Sequence, residues 1–385
     1  MRTLERLVTD TARHVPFYRS HWASAGVDVG RLSLPRDFAS LPIVRKSDLL
    51  AAGVEARLDD RRRRAELISD TTSGSSGQPF EVLIDSSAMR RRRLRFLRAL
   101  VGAGYRPGER LMLVASRHTT SIGARLLGWR YASLKQGEDA LAAQYARARP
   151  AVLYGPLSSL LALADRLTTQ QRGRHRPRLV VTTAEELTAA QRRTLDRAFG
   201  ARIADFYGMT EVGLVGWRSG EEGPYRLPAP NLLLEFLPCA ADDALERLVV
   251  TDLSGGAMPL VRYETGDLVR RDRSLPGAPI VRIAGREIDC LRLPGGGRVS
   301  PYRITTSLEV LEGVDQYQVV QNRDLSVEVF IRTVAADSAP IFERARRAVN
   351  HVCDGALRLE VKAMAASDGT ARKLRPVRCL AGETA

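Results

Sequence analysis

Three short segments of this chain combine residue types that can hold a polyanion. The first is Thr71-Thr72-Ser73-Gly74-Ser75-Ser76-Gly77-Gln78-Pro79. Its glycines let backbone N–H groups close on an oxyanion, and its hydroxyls add donors without bulk, which suits a polyphosphate. The pattern is not GxxxxGK[ST], so the nucleotide-hydrolase P-loop is excluded; read alone, such a run is more often a plain loop. The second is Tyr207-Gly208-Met209-Thr210-Glu211, where an aromatic face, a hydroxyl and a carboxylate follow a strand and can supply a stacking surface, a phosphate donor and a Mg2+ ligand. The third is Tyr263-Glu264-Thr265-Gly266-Asp267, followed later by Gly285-Arg286; a lone acid after Thr-Gly can accept hydrogen bonds from ribose hydroxyls. Read singly, the second and third segments also fit a turn beside a capped strand.

The elements that would carry these residues alternate. LMLVAS (111–116), AVLYG (151–155), LVVTTAE (179–185) and ARIADF (201–206) read as buried strands. Thr188 and Gln191 have the capping-box spacing of a helix that Gly200 ends. This rhythm predicts an α/β layered domain with functional loops at the strand C-termini. Upstream, SSAMRRRRLRFLRALVGAG predicts a helix capped by Ser86 or Ser87, with Met89, Leu94, Leu97 and Val101 as its apolar stripe. Arg91, Arg95 and Arg98 then share the opposite face and read as a solvated surface rather than a phosphate ladder. PGGGR (294–298) breaks the pattern, and beyond it SVEVFIR (326–332) and LRLEVKA (357–363) flank a helix around 339–350 that Ser338 could cap. This predicts a separate α+β unit of about 95 residues, with Asp289 at the junction.

Composition narrows the classes. The 385 residues, 44% hydrophobic and 27% charged, describe a globular chain with no run approaching a transmembrane helix. The opening MRTLERLVTDTARHV lacks the apolar stretch of a signal peptide. Cys239, Cys290, Cys353 and Cys379 form no CxxC pair and make no zinc ladder with the scattered histidines, so free thiols in a reducing cytoplasm are expected. The net charge of +15 raises nucleic acid as a partner, but the excess is diffuse, and only four of the 59 basic residues are lysine: Lys46, Lys135, Lys362 and Lys373. Neither nucleic-acid nor membrane binding is expected.

In their order and spacing the three segments resemble the adenylate-forming superfamily, and specifically its phenylacetate–CoA ligase branch. TTSGSSGQP, VVTTAEELTAAQRRTLDRAFGARIADFYGMTE, MPLVRYETGDLV and IAGREIDC…GGGRVSP follow the branch in sequence, and VPFYRSHWASAGVD…LPIVRKSDLL is typical of its opening. The resemblance implies a large N-terminal AMP-binding domain of layered β-sheets with helices over 1–288, and a small mobile α+β domain over 289–385. It implies that Thr72, Ser73, Gly74, Ser75, Ser76 and Gly77 hold the ATP phosphates, that Tyr207 and Gly208 meet adenine with Glu185 beside them, and that Thr210 touches the α-phosphate. Glu211 would bind Mg2+. Asp267 would take the ribose hydroxyls, helped by Arg286 or Arg282, and Asp289 would be the hinge.

The implied reaction activates a carboxylic acid, aryl or similarly compact, as an acyl-adenylate. A thiol, CoA or carrier-protein phosphopantetheine, then displaces AMP; transfer to an amine is the nearest alternative. The sequence departs from the family where a C-terminal lysine is expected, because Thr370 fills that position; Lys373, or less well Arg372, could take its place, and an impaired nucleotide-binding relative is the other reading. The segments 108–150, which helps build the acyl pocket in the family, and 216–246 are both short. A monomer or homodimer is expected.

Overall fold

The computed structural model of the chain describes residues 2–71, 80–115, 128–133, 136–167, 175–220, 223–228, 231–333, 337–364 and 375–381. The N-terminal segment contributes helices α1 (Arg2–His14), α2 (Pro16–Ser24) and α3 (Lys46–Arg57). An antiparallel pair, β1 (Ile68–Thr71) and β2 (Glu81–Ile84), then leads into the long helix α4 (Ser86–Gly102).

The valine- and leucine-rich runs become a central sheet. Its elements are β3 (Leu111–Ala115), β4 (Trp129–Ser133), α5 (Glu138–Ala148), β5 (Val152–Pro156), α6 (Leu157–Arg166), β6 (Leu179–Thr183), α7 (Ala189–Phe199), β7 (Arg202–Met209) and β8 (Gly213–Ser219). The strand order is β4-β3-β5-β6-β7-β8, parallel throughout except that β8 returns antiparallel to β7. Strands buried on both faces need apolar residues at successive positions, as these have. Met112, Val114, Leu153 and Val180 face α5–α7, while Leu111, Leu113, Val152 and Val181 face α4. The Thr188–Gln191 capping box opens α7 and Gly200, at φ 56°, closes it, as its residue types predict.

Helix α4 departs from the sequence reading. Asp85, not Ser86 or Ser87, is the N-cap; its Oδ1 accepts from the Ser87 and Ala88 N–H groups at 2.9 and 2.8 Å. The expected stripe is split: Met89 and Leu97 pack against core residues, but Leu94 is 53% and Val101 46% exposed, whereas Arg95 is 2% exposed. Arg92, Arg95, Phe96, Ala99, Leu100 and Ala103 form the inward face. On that side Arg92 and Arg95 reach main-chain carbonyl acceptors distant in sequence, which local periodicity does not register.

A second, antiparallel sheet of β9 (Leu232–Pro238), β10 (Glu246–Asp252), β11 (Tyr263–Arg271) and β12 (Ile280–Arg286) packs against the N-terminal helices. Beyond it lie β13 (Leu291–Arg292), β14 (Arg298–Val299), α8 (Pro301–Glu309), β15 (Val314–Gln321), β16 (Val327–Thr333), α9 (Ala339–Val352), β17 (Leu359–Ala363) and β18 (Val377–Cys379). These share a core of their own, from Leu291 to Cys379, around a sheet ordered β17-β16-β15-β18. Ser338 stands at the N-cap of α9 but makes no cap bond; Asp337 Oδ1 accepts from the Ala339 N–H at 3.0 Å instead. Ion pairs fasten this unit to the central sheet's helices. Arg332 reaches Asp165 at 3.0 Å and Asp315 at 3.1 Å, and Asp315 also accepts from Thr194 Oγ1 at 2.9 Å. Among the described residues no helix is long and apolar enough to cross a membrane.

The N-terminal segment is stitched to β11. Val44 N–H donates to the Arg262 carbonyl at 2.9 Å, Glu264 N–H donates to the Val44 carbonyl at 2.8 Å, and Tyr18 Oη accepts from the Val261 N–H at 3.0 Å. Tyr18→Phe removes that acceptor from a buried N–H, so urea unfolding should show a loss of about 1–3 kcal/mol; an unchanged midpoint would show that the bond contributes nothing.

Candidate active site

A cleft of about 1490 Å3 opens where the C-terminal ends of β5, β6 and β7 meet β11, β12 and the chain entering β18. Parallel strands place their loops at that edge, so the topology alone gathers residues 154–159, 183–187 and 207–211 there.

One end of the cleft is aromatic. Phe96 lies edge-on to Tyr154, Phe206 and Trp129, with centroids 5.1, 6.0 and 6.2 Å away, and Tyr131 joins the lining. Trp129 Nε1 donates to Tyr105 Oη at 3.0 Å, so the indole is fixed. Such edge-to-face sets present flat apolar walls suited to a ring.

The other end is polar and is built on the β7–β8 hairpin. Gly208 must be glycine, because a Cβ there would sit 2.8 Å from the Gly213 carbonyl oxygen. Gly213 has φ 78° and closes the turn Thr210–Val212, with a Cβ position only 3.3 Å from the Arg92 side chain. Arg92 Nη1 donates to the Thr210 carbonyl at 2.9 Å while its other arm donates to the Glu211 carbonyl. Arg95 Nη2 donates to the Val212 carbonyl at 2.7 Å.

Around this turn the acidic and cationic groups alternate. Glu211 Oε1 accepts from Tyr263 Oη at 3.2 Å. Asp267, 8% exposed, accepts from Tyr207 Oη at 2.6 Å and pairs with Arg286, whose Nε is 3.3 Å away across the β11–β12 ladder. Burial, with Asp267 beside it, holds the Tyr207 phenol far above its ordinary pKa. Lys46, the first residue of α3, lines the same cleft within the field of Glu211 and Arg286, and burial lowers its ammonium pKa. No sequence motif pointed to Lys46; its only signal was lysine scarcity.

The remaining expected residues divide. Glu185 lines the cleft with its carboxylate accepting from the Ser158 N–H and hydroxyl at 2.8 and 2.7 Å. Arg282 is committed elsewhere: it lies 2.9 Å from Glu309 of α8 and 3.3 Å from Glu186, which leaves Arg286 as the arginine paired with Asp267. Asp289 is 4% exposed and paired with Arg375, a partner the sequence reading missed; Arg375 Nε lies 3.2 Å from its Oδ2. Residues 72–77 and Lys373, with Arg372 and Thr370, lie outside the described residues.

No family model matches the chain. It is 28% identical over 350 residues to phenylacetate–coenzyme A ligase of Pseudomonas putida, covering 83% of this chain and 77% of the relative. It superposes on 2-hydroxyisobutyryl-CoA ligase in the postadenylation state with a TM-score of 0.76 at 20% identity, covering 97% of this chain and 87% of that one. The chain is thus similar in sequence to phenylacetate–CoA ligases and has the fold of an acyl-CoA ligase. Against the same neighbour in the thioesterification state the TM-score is 0.59, at 22% identity and covering 98% of this chain and 88% of that one, lower than against its postadenylation state.

Glu186 lines the cleft with its carboxylate largely withdrawn from water, and its pKa is pushed up to about 7 by that desolvation first, with Glu309 and Asp205 adding to it and Arg282 opposing. The folded state therefore binds more protons than the unfolded chain between about pH 4.5 and 7, and stability falls as pH rises through that window. Glu186→Gln carries no such penalty. Its stability relative to wild type should rise from pH 5 to 7.5, by up to about 3 kcal/mol, in parallel denaturant titrations; a pH-independent difference would contradict the assignment.

Proposed function

We propose that this chain activates an aryl carboxylic acid with ATP as the acyl-adenylate and passes the acyl group to a thiol, releasing AMP. The observation that carries the reading is the single cleft in which an aromatic end abuts a nucleotide-type end, with the Thr210–Glu211 turn in the polar half. The matched relatives support it: one is named phenylacetate–coenzyme A ligase, and 2-hydroxyisobutyryl-CoA ligase is known in complex with an acyl-adenylate and CoA.

In the first step an oxygen of the acid attacks the α-phosphorus of ATP, the bond to the β-phosphate bridging oxygen breaks, and pyrophosphate leaves. In the second, the thiol sulfur attacks the acyl carbon and AMP leaves. Neither step uses a side-chain nucleophile, so the residues act by positioning and charge neutralisation. The aromatic walls orient the acid. Tyr207 and Gly208 would face adenine with Glu185 beside them, Asp267 would hold the ribose hydroxyls while Arg286 holds Asp267, and Thr210 would donate to the α-phosphate. Residues 72–77 would hold the outer phosphates.

Glu211 fits a Mg2+ site: it is a single hard carboxylate beside the turn, which with phosphate oxygens and water makes the ligand set this ion prefers. Bound there, Mg2+ would offset phosphate charge. Lys46 would supply a mobile point charge near the attacked centre, with Lys373 as the C-terminal counterpart in place of the family lysine. The unit over 289–385 would turn about Asp289 between the two steps, releasing the Arg375 contact. CoA is the acceptor the relatives favour; a carrier-protein phosphopantetheine offers the same thiol, and a cytoplasmic location would supply either.

Pyrophosphate exchange into ATP, driven by a panel of carboxylic acids, tests this directly. Exchange should appear with an aryl acid, and Glu211→Ala should abolish it. Lys46→Ala should lower it about tenfold or more, a loss of about 1.4 kcal/mol of transition-state stabilisation. Full activity in Lys46→Ala would remove that residue from the chemistry, and absence of exchange with every acid would remove adenylation.

A further inference from the structure

Helix α4 carries a run of four arginines, Arg90–Arg93, then Arg95 and Arg98. Two of them turn inward against hydrophobic logic. Arg95 is 2% exposed and Arg92 is buried enough that its guanidinium pKa is lowered. Removing guanidinium groups from water costs several kcal/mol each, so the acceptors they meet must matter. Arg95 has a counter-charge in Asp252 at 3.5 Å, whereas Arg92 forms no ion pair among the described residues. What both meet is main chain: the carbonyls of Thr210, Glu211 and Val212, three in succession at the tip of the β7–β8 hairpin.

A guanidinium is a planar fork, so Arg92 can engage two adjacent carbonyls and fix the two peptide units that flank the Glu211 Cα, which a lysine's point charge cannot do. That stretch of backbone joins the Cα atoms of Thr210, Glu211 and Val212. Pinning its carbonyls toward α4 leaves the Glu211 side chain to project away, where it meets Tyr263 at 3.2 Å. The same Arg92 lines the cleft, adding fixed positive charge at the polar end.

We propose that Arg92 is a positioning residue whose bidentate hold on the Thr210 and Glu211 carbonyls, braced by Arg95, sets the geometry of the turn that acts on the phosphates. The catalytic half of this inference rests on the adenylation reading; the mechanical half does not. Hydrogen exchange by mass spectrometry of the peptide spanning Tyr207–Leu214, together with ATP–pyrophosphate exchange, separates them. Four proteins are compared: wild type, Arg92→Lys, Arg92→Met, and Arg98→Ala as an exposed control on the same helix.

Arg92→Met should speed amide exchange in that peptide by about tenfold or more while the β3, β5 and β6 peptides keep wild-type rates. Arg92→Lys, which keeps charge and loses the fork, should show most of that increase, and it remains informative where Arg92→Met does not fold. In pyrophosphate exchange both Arg92 variants should lose about tenfold or more in kcat with the KM for the acid within about threefold of wild type. Arg98→Ala should match wild type in both assays. Unchanged amide exchange in a folded Arg92 variant, or full pyrophosphate exchange in Arg92→Lys, overturns the clamp. A wild-type chain that shows no pyrophosphate exchange removes the adenylation reading, and the amide-exchange arm still decides whether Arg92 holds the turn.

Discussion

Backbone carbonyls at the tip of a hairpin need donors, and at the β7–β8 turn three in succession find them in a helix. Arg92 and Arg95 reach from α4 to Thr210, Glu211 and Val212, and the rest of the site depends on that contact. It sets the rotation of α4, because the arginine face must look inward and Leu94 and Val101 must then look out. That rotation brings Phe96 to the centre of the aromatic set with Tyr154, Phe206 and Trp129. One helix thus forms the aromatic wall and secures the polar turn, so the two ends of the cleft keep a fixed separation.

Charge in the cleft is arranged so that cations outnumber free carboxylates near the turn. Asp267 is matched by Arg286 and Glu264 by Arg45 and Arg247, while Lys46 and Arg92 add charge beside Glu211. An ATP-binding site needs that surplus, because the incoming phosphates bring several negative charges into a poorly solvated space. The overall excess of +15 is diffuse, and what bears on the chemistry is the few cations that the fold turns inward.

The parallel strands were legible because residues buried on both faces must be apolar in unbroken runs, as in LVVTT and LMLVA. Capping at Thr188 and Gly200 was legible for the same local reason. The turn residues Tyr207–Glu211 stood out through their position at a strand end and through the family resemblance, although read singly they also fit a turn beside a capped strand. Helix α4 could not be, since periodicity treats arginine as solvent-seeking and cannot register acceptors 117 to 119 residues away. Lys46 and Arg375 were missed for a like reason: the N-terminal stitch through Val44 and the Asp289 pair are long-range contacts with no local trace. Of the two candidate arginines, Arg286 pairs with Asp267, while Glu186 and Glu309 occupy Arg282.

The proposed reaction requires one cleft to hold an aryl acyl group and AMP as a single joined species. Calorimetric binding of a non-hydrolysable aryl acyl-sulfamoyl adenosine tests it most directly. Affinity should be at least about a hundredfold above that of AMP or the acid alone, as for a mimic of a bound intermediate, with a large loss on Asp267→Ala. Affinity no better than that of AMP would contradict it.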